Sequence, residues 1–108
     1  MRSRALISTA VLFCIIGCTH HAVLVDKGSA TLTLYAPGAK NVQFASSLDG
    51  YELHQARQNL DADWVILLPS DRQFSYFYVV DGKVFLPECP FTEPDDFGSR
   101  NCVYIPGM

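Results

Sequence analysis

The reactive side chains of this chain are four thiols, three imidazoles and a few grouped carboxylates, set among many aromatic rings. The thiols stand at Cys14, Cys18, Cys89 and Cys102. A thiol can be acylated, oxidised to a disulfide, or used as a metal ligand or nucleophile. Metal ligation needs several ligands converging at suitable spacing, and no Cys or His pattern here supplies them. His20 and His21 lie near the N-terminus and His54 stands alone. Asp61/Asp63 and Glu93/Asp95/Asp96 could offer oxygen ligands to Ca²⁺, but the D-x-D-x-D-G loop pattern is absent. They read as solvated loop carboxylates, so neither a metal nor a cofactor is expected. G-x-S-x-G and phosphate-cradling glycine loops are missing too. No motif positions a catalytic carboxylate pair, and the expectation is a non-enzyme.

The thiol chemistry divides by position. Arg2 and Arg4 form a basic start. Ala5 to Ile16 is an apolar run of about a dozen residues, short for a membrane span and suited to a signal core. It ends in Ile15-Ile16-Gly17-Cys18, a small residue before a thiol. The order of charge, apolar run and Gly-Cys resembles a bacterial lipobox. The resemblance implies a signal peptide over 1–17 and lipidation of Cys18, which becomes the mature N-terminus. An ordinary signal cleaved elsewhere and an uncleaved anchor are the alternatives. Several acyl chains hold a protein on a membrane durably, where one alone is marginal. Thr19, rather than Asp, follows the cysteine. In a Gram-negative envelope that pattern implies the periplasmic face of the outer membrane.

Without Arg2 and Arg4 the chain keeps six basic against eleven acidic side chains, a net charge near −5. That balance disfavours nucleic acid, which needs a basic footprint. About ninety residues make one small domain with a modest core. Such exported domains often carry a covalent staple, and an oxidising compartment favours a Cys89–Cys102 disulfide. Two separate buried thiols are the rival reading.

The elements that position these groups read as strands. Residues 18–29 form a lipid-anchored tether, with a short first strand at Val23 to Val25. Ala30 to Tyr35 alternates with period two, as does Asn41 to Ala45. Leu53 to Arg57 reads as a short strand, and Trp64 to Leu68 as an apolar one whose Trp64 belongs to the core. Phe74 to Val80 is an aromatic strand running into Asp81-Gly82, a pair that tolerates the positive φ of a tight hairpin turn. Lys83 to Leu86 is its return partner. Pro87 to Ser99 is a long loop, and Asn101 to Ile105 closes the sheet. Alternation places Phe74, Tyr76, Tyr78 and Val80 on one face, with Ser75, Phe77 and Val79 on the other. If the first set is core, Phe77 looks outward. Short strands with closely spaced turns argue an all-β sandwich.

The order of Leu32-Thr33-Leu34-Tyr35-Ala36-Pro37-Gly38, Ser46-Ser47-Leu48-Asp49-Gly50-Tyr51, Phe74 to Gly82 and Asp95-Asp96-Phe97-Gly98-Ser99-Arg100-Asn101 resembles the family 48 carbohydrate-binding module. That is the early-set, immunoglobulin-like domain found beside isoamylases, in branching enzymes and in the beta subunit of AMP-activated protein kinase. The resemblance implies an early-set β-sandwich over 30–108 that binds an α-glucan, or a related envelope glycan, without catalysis. In such modules the apolar face of a sugar ring lies on an exposed aromatic while polar groups take the hydroxyls. Tyr51 occupies the place of the family's first Trp. Val84 occupies that of the second, with Phe85 taking it if the hairpin shifts. Phe77 replaces the family's Lys, and Asn101 keeps its Asn. The implied carbohydrate site is therefore Tyr51, Phe77, Phe85 and Asn101. The alternative is an envelope protein-interaction module using the same sheet face.

Overall fold

The computed structural model describes residues 20–107. The expected signal peptide and the acylated Cys18 lie outside the described residues. The described chain is all-β, with ten strands and one short 3-10 turn. In chain order they are β1 (His20–Asp26), β2 (Ser29–Tyr35), β3 (Val42–Ser46), β4 (His54–Gln55), β5 (Arg57–Gln58), β6 (Trp64–Pro69), β7 (Phe74–Val80), β8 (Lys83–Phe85), β9 (Thr92–Pro94) and β10 (Arg100–Tyr104). The 3-10 turn, Ser47–Asp49, follows β3.

Two antiparallel sheets face each other. The first has the order β1-β2-β6-β5, and the second β4-β3-β7-β10-β9 with β8 also pairing β7. The aromatic strand β7 is the hub of the second sheet. β3 lies along one side of it, while β10 pairs its first half and β8 its second half.

Period-two alternation explains what lies between the sheets. Ala30, Leu32 and Leu34 of β2 face Phe44 of β3 and Phe74, Tyr76 and Tyr78 of β7, all buried. Rings stack and meet edge-on there, with Phe44 5.5 Å from Tyr76 and Phe74 5.1 Å from Tyr104. Such pairs add about 0.5–1.5 kcal/mol each beyond their buried area. Trp64 is buried in this core, as its place in an apolar strand predicted.

Several local features differ from the expected ones. His20 to Ala22 belong to β1 rather than to a tether, and β1 pairs with β2 over its full length. The expected strand Leu53 to Arg57 is two short pieces. β4 pairs with β3 in one sheet and β5 with β6 in the other. Ala56, buried between them, donates its N–H to the Val42 carbonyl at 2.9 Å where the chain crosses between layers. β9 lies inside the segment read as loop.

Two connections hold the second sheet in shape. Asp81 and Gly82 both have positive φ, 49° and 84°, as a two-residue hairpin turn requires. The Asp81 carboxylate also accepts from the N–H groups of Lys40 and Asn41, each at 2.8 Å. A Cys89–Cys102 disulfide ties the chain after β8 to the middle of β10.

Candidate functional site

The outward face of the second sheet carries the residues of interest. Phe77 projects there from β7, on the side opposite Tyr76 and Tyr78, and is partly exposed. Tyr51 reaches over it from the loop after β3. The two rings stack with centroids 5.9 Å apart and planes 15° from parallel.

Tyr51 is held there against its own backbone preference. Its φ is +68°, directly after Gly50 at +76°. A non-glycine residue in the left-handed region carries a cost of about 1 kcal/mol, and a bulky one there is a genuine outlier. The surroundings fix it. Its N–H donates to the Ser46 carbonyl at 2.8 Å, and its hydroxyl donates to Ser75 Oγ at 3.3 Å. Ser75 Oγ in turn donates to Glu93 Oε2 at 2.6 Å, and the Ser75 N–H donates to Ser47 Oγ at 3.0 Å. A polar chain therefore runs from Tyr51 through β7 to β9.

Asn101 lies beside this chain on β10, opposite Glu93 on β9. It is only 7% exposed.

Tyr51, Phe77 and Asn101 line one depression of about 660 Å³, together with Val84, Glu93 and the β9–β10 loop. That loop is built on Asp95. Its carboxylate accepts from the N–H of Phe97 at 2.8 Å and of Ser99 at 2.9 Å, while its own N–H donates to the Ser99 carbonyl. Gly98, at φ +88°, lets the chain turn back. Phe97 stands at the rim, 92% exposed, and Val84 is 71% exposed. Glu93, Asp95 and Asp96 make the rim acidic. Among the described residues Arg100 is the one cation lining the depression. Its guanidinium is already committed to Thr92 Oγ1 and the Thr92 carbonyl.

Three of the four residues of the implied carbohydrate site thus converge, and Phe85 does not. Phe85 pairs with the inward-facing Tyr78 and packs partly buried against the core. The hairpin does not shift, so Val84 takes the outward position. Ser75 and the Glu93–Asp96 rim were absent from the sequence reading of the site. Ser75 was within reach, because it shares a face with Phe77 two residues away. Glu93 was not, because β9 hides between prolines.

His54, read as solitary, bonds to Asp49. That contact lowers the Asp49 carboxyl below its usual range, chiefly through the hydrogen bond from His54. Asp49, Glu52 and His54 bring potential ligand atoms within 4.8 Å of one another, but all three are solvent-exposed. They describe a surface hydrogen bond with a neighbouring carboxylate. No protein-family model matches the chain, and no curated protein matches it.

Proposed function

We propose that the protein is a non-catalytic glycan-binding module of the bacterial envelope, tethered to the membrane through a lipidated Cys18. The observation that carries this reading is the Tyr51–Phe77 ring stack in one depression with Asn101. An exposed aromatic surface accepts the apolar face of a sugar, and a side-chain amide can both accept from and donate to its hydroxyls. The strained backbone of Tyr51 supports the same reading, since such strain concentrates at binding sites. The resemblance to the early-set family 48 module points to an α-glucan or a related neutral glycan. The acidic rim argues against uronic or sulfated sugars.

Catalysis is not part of the proposal. Ser75 Oγ, bonded to the Glu93 carboxylate, is buried and also accepts from Tyr51.

Exposed Phe97 and Val84 favour a second reading, in which an envelope protein docks on this face. Calorimetric titration of the full chain in detergent against maltoheptaose, glycogen and peptidoglycan fragments separates the two. Binding that Phe77→Ala weakens about 10- to 100-fold, by analogy with stacking energies of roughly 1–3 kcal/mol on nucleic-acid bases, supports a glycan site. Absence of heat from a folded protein with all three ligands rejects it in favour of docking.

A further inference from the structure

The first strand has a feature that the glycan face does not explain. Among the described residues β1 is an edge strand of seven residues, and all but His21 are exposed. Val23, Leu24 and Val25 are 37%, 66% and 59% exposed, so apolar side chains meet water on both faces of the strand. Folded chains usually protect such an edge with a charge pointing inward, a proline or a bulge, and β1 has none of these. The other sheet ends are short among the described residues. β5 and β4 have two residues each, and β9 has three, ending in Pro94.

The backbone of β1 is aimed at a partner strand. β1 and β2 join through the two-residue turn Lys27–Gly28, with Asp26 opposite Ser29. In a hairpin of this kind the residues flanking the turn bond to each other, and every second residue after them does the same. The N–H and C=O groups of His21, Val23 and Val25 therefore point away from β2, toward the open edge.

We propose that the occupant of this edge is β1 of a second copy of the chain, paired antiparallel about a two-fold axis at Val23. That register pairs all seven residues and joins the two four-stranded sheets into one of eight. It sets Val23 opposite Val23 of the other copy, His21 opposite Val25, and Leu24 opposite Ala22. It also sets His20 opposite Asp26 at both ends. These are non-hydrogen-bonded positions, where cross-strand side chains come closest, and the charges are complementary when His20 is protonated. The main-chain bonds supply affinity, and the matched ends select a second copy in this register. The pairing covers the apolar side chains that the lone sandwich leaves in water.

The test uses the full chain in native membranes. Val23→Cys should give a disulfide-linked dimer on mild oxidation, at the mass of two copies. Leu60→Cys, on a fully exposed loop away from the edge, should not. Val23→Lys should keep the circular dichroism spectrum of the folded chain. It should also weaken dimerisation, measured by sedimentation in detergent, at least about tenfold, because like charges then face each other at the axis. His20→Asp should weaken it too, and adding Asp26→His should restore it. Failure of Val23→Cys to cross-link, equal cross-linking at Leu60→Cys, a cross-linked product of another mass, or a folded Val23→Lys protein that dimerises as before would each overturn the proposal.

Discussion

At the scale of single residues, Tyr51 bears the most weight. Its left-handed backbone and its stack on Phe77 oppose each other energetically. Tyr51→Ala keeps the strain and loses the ring, whereas Tyr51→Gly loses both. The usual preference for Ala over Gly should therefore reverse here, with the Gly variant more stable by about 1 kcal/mol. Denaturant unfolding of the two variants measures this directly, and equal midpoints would show that the loop relaxes without the tyrosine. His21 makes a second prediction. It sits partly buried on β1, 5.8 Å from Tyr76 and 5.6 Å from Tyr78 between ring centroids, with its Nε2 unpartnered among the described residues. Burial lowers its pKa from 6.5 to about 4. Between those values the unfolded chain binds a proton that the folded chain refuses, so stability falls as pH drops from 6.5 toward 4. Thermal midpoints recorded across that window should slope downward toward acid, and His21→Phe should flatten the slope. An unchanged slope in that variant would assign the acid sensitivity to other groups.

At the scale of elements, the strands were legible where alternation was strong. The pattern of β2 and β7 places Leu32, Leu34, Phe74, Tyr76 and Tyr78 inside and Phe77 outside, and the structure agrees. The Asp81-Gly82 turn was readable from backbone preference alone. What escaped was structure set by distant contacts. β9 carries Pro94 and only three residues, and it exists because β10 lies beside it. The division of Leu53–Arg57 depends on Ala56 finding the Val42 carbonyl in another strand. Phe85 was misplaced for a related reason, because only the register of β8 against Tyr78 decides which of two neighbours faces outward. The Cys89–Cys102 bond anchors β10, which carries Asn101, to the segment leaving β8. Closing a loop of this size stabilises by about 3 kcal/mol. Replacing both cysteines by Ala should lower the midpoint of thermal unfolding by roughly 10–20 °C. A midpoint unchanged under non-reducing conditions would mean that the bond adds nothing to the fold.

At the scale of the whole molecule, the two sheets divide their tasks. The outward face of the second sheet holds an acidic depression floored by stacked rings, while the first sheet ends in the open edge of β1. In the proposed arrangement that edge pairs two copies, and the lipid at Cys18 keeps them at the membrane. Both faces depend on one sandwich, yet they are separable by mutation. Val23→Lys should leave glycan affinity per site intact, and Phe77→Ala should leave dimerisation intact. The measurement that bears most directly on the account is an NMR titration of residues 19–108 with maltoheptaose, read residue by residue. The resonances of Tyr51, Phe77 and Asn101 should shift together and saturate, with the first sheet silent. Shifts confined to the first sheet, or no shift at saturating sugar in a folded protein, would contradict it.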